Sequence, residues 1–286
     1  MDQKIKELKP KYFPYLLNEI DDPPDRLYLK GELPSKDLTF LCVVGSRKIS
    51  DYGKRACSKI IEDLSGLPIV IVSGLALGID AKAHESAIKV GLKTVAVPGS
   101  GLDPSVIYPK SHLNLSEKIV RSGGALLSEF EPNFEATKWS FPKRNRIMAG
   151  ISHGVLVIEA QKKSGSLITA KLGLEYNREI MAVPGSIFSS LSSGTNYLIQ
   201  QGAYAINNAK DIQDIFGIKK NKDPKTELML SDEEKKILKF IISPINKNEL
   251  IKKSKMDVSK VNTLISSLEI KGAVYESGGN IYPEKN

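Results

Sequence analysis

The 286-residue chain has no apolar run near the ~20 residues that a membrane-crossing helix needs. Its first residues, MDQKIKELKPKYF, contain no apolar signal core, so the expected location is the cytoplasm, with no membrane partner. Cysteine is scarce: Cys42 and Cys57 are the two present, too few for a disulfide framework. Cys42 sits inside an apolar run, as a core residue would. The three histidines, His84, His112 and His153, are not spaced as metal ligands, so no metal is expected. His84 follows Asp80 in a helical stretch and reads as structural. No Gly-x-x-x-x-Gly-Lys-Ser/Thr occurs, which excludes a P-loop ATPase. The first glycine turn, Gly45-Ser46-Arg47, is not the Gly-x-Gly-x-x-Gly dinucleotide fingerprint. Ser46 and Ser73 have no evident base, which argues against a serine nucleophile. No cofactor and no catalytic residue are therefore expected.

Positive charge is abundant. The net charge of +8 suits a polyanionic partner. Residues 219–286 hold 14 lysines against 10 acids, so about a quarter of the chain carries half of that excess.

The length suggests one large domain and a smaller one. Residues 1–38, punctuated by Pro10, Pro14, Pro23, Pro24 and Pro34, read as a lead-in. From residue 39 to 216, short β-branched runs recur: FLCVVGS (40–46), IVIVSG (69–74), TVAVPG (94–99), ALLSE (125–129), GVLVIEA (154–160), IMAVPG (180–185) and AYAI (203–206). Each is too short for a capped helix and reads as a buried parallel strand. Helical segments lie between them, including Asp51 to Leu64, Ile79 to Val90, Ser111 to Ser122 and Leu167 to Asn177. Alternation of this kind predicts a doubly wound, mostly parallel α/β sheet. Residues 217–230 are polar and lysine-rich, as a linker is. Residues 231–286 change pattern. A helix capped by Ser231 is followed by a short second helix at 246–255. A third, at 257–272, carries Val258, Val261, Leu264, Ile265 and Leu268 on one face and stops at Gly272. A Ser-Gly-Gly-Asn hairpin ends the chain. Three helices and a hairpin predict a winged helix.

Ligands of open α/β sheets bind beyond the carboxyl ends of the strands. Nearly every strand here ends in small or charged residues. The turns include Gly45-Ser46-Arg47, Gly74 through Gly78 to Asp80, Pro98-Gly99-Ser100, Ser164-Gly165-Ser166 after Glu159, and Pro184-Gly185-Ser186. Glycine admits a ligand close to the backbone, and helix N-termini offer free N–H groups to phosphate. One such loop has little weight; five on one edge have much more. Arg47, Lys138, Lys143, Arg144 and Arg146 fall at the same edge, with Trp139 and Phe141 among them. Cations beside aromatic faces are the means of gripping single-stranded nucleic acid. The bland alternatives are a solvated basic helix face and, for the aromatics, core packing. The carboxylates Asp80, Asp103, Glu129 and Glu159 read as helix caps or partners of these arginines.

The segments VVGSRKISDYG, IVSGLALGIDAKAHESAI, TVAVPGSGLDPSVIYP, GALLSEF, FPKRNRIMAGIS, VLVIEAQKKSGSLITAKLGLEYNREIMAVPG and SSGTNYLIQQGA, in that order, resemble the DNA-processing protein DprA (Smf) family over about residues 12–216. The resemblance implies an extended Rossmann-like core, no catalytic activity, homodimerisation, single-stranded DNA binding, and loading of the recombinase RecA during natural transformation. On the family's pattern, the DNA-binding positions are Arg47, Lys138, Phe141, Arg144, Asn145, Arg146, Ser164, Gly165 and Ser166, and Ser46 and Lys143 are expected beside them in the same turn and basic stretch. Phe141 to Arg144 are expected to face DNA and Asn145 to Gly150 to begin a helix, with Arg146 paired to a strand-end carboxylate. Loop-shaping roles are expected for Gly45, Gly74, Gly78, Asp80, Gly99, Glu159 and Gly185. A helical domain that many members carry in front is not expected among the few residues before the first strand. The dimer face is expected within about 187–216, with Tyr197, Leu198 and Ile199.

Two other readings stand beside this one. A nucleotide-cleaving hydrolase of the phosphoribohydrolase type would carry Pro-Gly-Gly-x-Gly-Thr, where this chain has Pro-Gly-Ser at both candidate places. The winged helix, flanked by Lys252, Lys253, Lys255 and Lys260 but without arginine, could meet duplex DNA or a protein.

Overall fold

The computed structural model describes residues 4–218, 231–241, 243–271 and 273–283. They form two compact units, 4–218 and 231–283. The first unit runs β1 (Lys6–Leu8), β2 (Leu27–Gly31), β3 (Thr39–Val44), α1 (Asp51–Asp63), β4 (Ile69–Ser73), α2 (Ile79–Lys89), β5 (Thr94–Ala96), α3 (Leu113–Arg121), β6 (Ala125–Ser128), α4 (Ser140–Gly150), β7 (Gly154–Val157), α5 (Gly165–Glu175), β8 (Glu179–Ala182), α6 (Ser193–Gln200), β9 (Tyr204–Ala205) and α7 (Ala209–Phe216).

Among the described residues these strands make one sheet in the order β1-β2-β6-β5-β4-β3-β7-β8-β9. From β6 to β9 all pairings are parallel, with Leu41 facing Ile71 on one side and Gly154 on the other. β3 is rich in β-branched and apolar residues, and side chains alternate across a strand. Phe40, Cys42 and Val44 accordingly pack on one face with Ile147 and Met148 of α4 and Ala170 of α5. Leu41 and Val43 pack on the other with Cys57, Ile60 and Ile61 of α1, Ala83 of α2 and Ile212 of α7. Both faces are covered, so the sheet is doubly wound, as predicted. His84 is buried in this core with Nδ1 2.7 Å from Thr94 Oγ1. The chain leaves β3 first toward β4 and later returns to β7 on its other side. That reversal opens a crevice beyond the β3 and β7 carboxyl ends.

Three expectations need correction. Residues 1–38 are more than a lead-in: β2 extends the sheet antiparallel to β6, and β1 pairs antiparallel with β2 at the edge. The run 203–206 is not a buried strand throughout: β9 is the edge strand, and Tyr204 and Ala205 are exposed because only β8 flanks it. Helix α4 starts at Ser140, not at Asn145. Pro142 is tolerated there because first-turn N–H groups have no intrahelical acceptor.

The second unit contains α8 (Asp232–Leu238), β10 (Ile245–Asn246), α9 (Lys247–Ser254), α10 (Val258–Ile270), β11 (Val274–Ser277) and β12 (Asn280–Pro283). Ser231 and Glu234 form a reciprocal capping box at the start of α8. Gly278 and Gly279 both take positive φ, +58° and +76°, as the two central residues of the tight hairpin turn require. β10 adds a third strand, giving the order β10-β12-β11. Val261, Leu264, Ile265 and Leu268 are buried as expected, whereas Val258 is exposed in the first turn of α10. The expected stop at Gly272 and most of the expected linker, 219–230, lie outside the described residues.

Candidate functional site

A cleft of about 700 Å³ lies beyond the carboxyl ends of β3 and β7. Gly45, Ser46, Arg47 and Lys48 line it from the β3–α1 turn. Tyr108, Lys138, Phe141, Arg144 and Asn145 line it from the α4 side. Gln161, Ser164, Gly165 and Ser166 line it from the turn that opens α5.

The wall on the α4 side is built on a buried ion. Arg144 is 4% exposed and Asp80 6%. Arg144 Nη1 donates to Gly74 O at 2.5 Å and also to Val97 O, and Nε donates to Asn145 Oδ1 at 3.3 Å. Asp80 accepts the Gly74 N–H at 3.1 Å. A Cβ at position 74 would land on the guanidinium, so this turn needs glycine. Burial pushes the Asp80 carboxyl above the usual range, opposed by Arg144 and by the Ala76 and Gly74 N–H groups. Burial likewise lowers Arg144 to about 10, opposed by Asp80. Each is displaced toward its neutral form, so desolvation outweighs attraction, and the pair is a positional device. Gly78 has φ +82°, and any Cβ there would meet the Ser46 and Arg47 backbone. Ile79 N–H donates to Ser46 O at 3.1 Å, which locks the start of α2 against the Arg47 turn.

The mouth of the cleft is aromatic and cationic. The Phe141 ring lies 5.6 Å from the Tyr108 ring and 5.1 Å from the Arg47 guanidinium. Gly99 sits beneath it: a Cβ there would come within 2.6 Å of the ring. Ser140 Oγ donates to Gly99 O at 2.6 Å, tying the start of α4 to the strand-end turn. Arg47 and Lys138 are exposed, with no ion pair among the described residues.

The helix ends differ in what they can accept. At α1, Glu159 takes Ser50 N–H at 3.1 Å and the Ser50 hydroxyl, so the positive end of that helix is already neutralised. At α5, Ser164 caps Ser166 N–H and the first turn carries no acid, leaving backbone donors beside the cleft.

The expected cluster thus divides. Ser46, Arg47, Lys138, Phe141, Arg144, Asn145, Ser164, Gly165, Ser166 and Asp80 line one cleft. Lys143 and Arg146 do not. Arg146 pairs with Glu129 at 2.5 Å and with Asp22 at 3.4 Å, and Lys143 reaches Glu129 at 3.3 Å. Trp139 joins Phe130 and Phe134 in an edge-to-face cluster while staying half exposed. Gly185 is held away from the cleft lining by Asn196. Tyr108, which composition and spacing did not single out, stands at the mouth. Its only sequence signal is the Tyr-Pro that follows the Gly99 turn. Among the described residues, no His/Cys/Asp/Glu group is arranged to hold a metal ion.

DNA processing protein DprA of Streptococcus pneumoniae is 44% identical over 200 residues, 70% of each chain. The X-ray structure of DNA processing protein A from that species matches with a TM-score of 0.68 at 41% identity, covering 74% of each chain. Protein Smf of Escherichia coli K12 is 42% identical over 202 residues, 71% of this chain and 54% of its own length, so the chain spans about half of that relative. A Helicobacter pylori DNA processing protein A structure, described for its single-stranded DNA binding mode, matches with a TM-score of 0.66. The identity is 30%, covering 76% of this chain and 98% of the other. Residues 4–217 match the family of DNA recombination-mediator protein A, and with the fold and this identity the chain belongs to that family.

Proposed function

We propose that the cleft binds single-stranded DNA with little base preference, and that the chain passes the strand to the recombinase RecA in recombination and natural transformation, without catalysing a reaction. The observation that carries this reading is the cluster of Arg47 over the Phe141 ring, with Tyr108 tilted against it, at the mouth of a cleft whose far side is the α5 N-terminus. An unstacked base can lie on an aromatic face, and phosphates can take Arg47, Lys138 and the α5 donors. A duplex presents no free base face. The relatives named DNA processing proteins, and the single-stranded DNA binding described for the Helicobacter pylori structure, support the same reading.

In this scheme Arg47, Lys138, Phe141 and the Ser164-Gly165-Ser166 turn touch the strand. Arg144 and Asp80 act as positioning residues, and Lys143 and Arg146 brace α4 through Glu129. Two copies join on the C-terminal part of this core, around α6, where Tyr197 is half exposed beside Leu198 and Ile199. The second unit is a winged helix. Of the four lysines around α9 and α10, Lys253 and Lys260 are engaged with Glu249 and Glu233, which leaves Lys252 and Lys255 for a duplex or protein partner.

Fluorescence anisotropy of the full chain with oligo-dT and with a duplex of equal length tests the reading. Tight binding to oligo-dT, weak binding to duplex and about tenfold loss on Arg47→Ala are expected. Equal affinity for both, or no loss on Arg47→Ala, sinks it.

A further inference from the structure

The β8–α6 loop carries two apolar side chains in open water. Ile187 is 84% exposed and Phe188 94%. They are the central residues of a turn closed by Ser189 N–H donating to Ser186 O at 3.0 Å. Such positions favour Gly, Pro, Asn, Asp and Ser, so neither residue helps the turn form. The loop is anchored. Tyr52 OH donates to Pro184 O at 2.5 Å, and Asn196 bonds both backbone groups of Gly185 at 3.1 and 3.0 Å. Phe188 N–H also donates to Ser186 Oγ at 3.2 Å. The turn thus holds two apolar side chains, one a phenyl ring, fixed in open solvent.

Its neighbour is the rim of the cleft. Ala160 N–H donates to Leu191 O at 2.8 Å, and Gly194 N–H donates to Ala160 O at 2.7 Å, so the β8–α6 loop lies against the β7–α5 loop. Leu191, Gln161 and Ser164 all line the cleft. The β7–α5 loop adds Lys162 and Lys163, both exposed and without an ion pair among the described residues. A cleft of about 700 Å³ holds only about one or two nucleotides, so a longer strand must leave across a rim. Unpaired lysines beside a free aromatic ring complement phosphates and bases, whereas an apolar protein patch would not call for the lysines.

We infer that Lys162, Lys163, Ile187 and Phe188 form a second platform that carries single-stranded DNA beyond the α5 side of the cleft. The inference rests on the single-stranded DNA reading of the cleft. Phe188 stacks a base, Ile187 packs against the sugar or the next base, and the lysines follow the backbone.

Anisotropy with two oligo-dT probes, about 4 and about 15 nucleotides long, separates the two sites in the full chain. Replacing Ile187 and Phe188 together by serine should weaken the long probe about tenfold and leave the short one unchanged. Phe188→Tyr should restore nearly all affinity, because a ring remains. Arg47→Ala should weaken both probes. If the serine pair binds the long probe like the parent while Arg47→Ala weakens both, the platform is wrong and the cleft stands. If Arg47→Ala changes neither probe, the cleft reading fails. Equal loss on both probes from the serine pair also overturns the platform. So does an altered sedimentation coefficient with DNA binding intact, which would make the loop a protein-docking surface.

Discussion

Replacing Arg144 by methionine tests whether the buried ion holds the cleft together. The substitution removes Nη1 from Gly74 O and Val97 O and leaves the Asp80 carboxylate without its countercharge in a site 6% exposed. Removing one partner of a buried pair costs about 3–5 kcal/mol. For a unit of this size, each kcal/mol shifts the melting temperature by about 2–4 °C, so a fall of about 6–20 °C is expected. Arg47→Ala, at an exposed position, should stay within about 0.5 kcal/mol of the parent. Thermal unfolding followed by circular dichroism reads both. Adding Asp80→Asn to Arg144→Met keeps an acceptor for Gly74 N–H but removes the stranded charge, and should recover about 1–2 kcal/mol. The sign with pH follows from Asp80, whose carboxyl is raised by burial. Its effect on stability is most favourable below the unfolded value and is lost as pH climbs toward the folded one. A melting temperature for Arg144→Met within about 2 °C of the parent, or a double variant weaker than the single, refutes the reasoning.

The second unit should be acid-labile for the opposite reason. Hydrogen bonding to Lys271, Ser267 and Ser231 N–H brings Glu234 down to about 2 from 4.5, so its stabilisation is present above 4.5 and is lost as pH falls toward 2. Protection factors of the amides of residues 258–270 in the full chain should fall through that window, and Glu234→Gln should remove the dependence. Protection that is flat down to about pH 2.5 contradicts this. Cys42 and Cys57 are buried; burial raises both thiols, Cys57 to about 12. Alkylation at neutral pH should therefore modify neither until denaturant is added, and rapid labelling of the native chain would show the core to be open.

Strand runs and turns were legible because they obey local rules. Short β-branched runs bounded by Gly, Ser or Pro mark β3 to β8, and Ser231 and the Gly278-Gly279 pair mark their cap and turn. Residues whose role depends on distant chain were not legible. β1 and β2 sit in a proline-rich segment and exist because β6 offers them an edge. Arg144 and Arg47 have the same chemistry in sequence, yet one is buried against carbonyls 47 and 70 residues away while the other stands in solvent. The start of α4 was misplaced because Phe-Pro reads as a stop, although proline suits a first turn. Tyr108 gave little signal because its importance lies in the 5.6 Å spacing to Phe141, which the fold sets.

The central claim is that the cleft grips a single strand by stacking and by a few phosphate contacts. Titrating oligo-dT affinity against salt, for the parent and for Arg47→Ala, tests it most directly. Each phosphate contact on a single strand contributes a slope of about −0.7 in log K against log salt. The parent should show a clear negative slope, and Arg47→Ala should bind about tenfold more weakly with a slope smaller by about 0.7. A parent slope near zero, or the same affinity and slope after Arg47→Ala, would contradict the account.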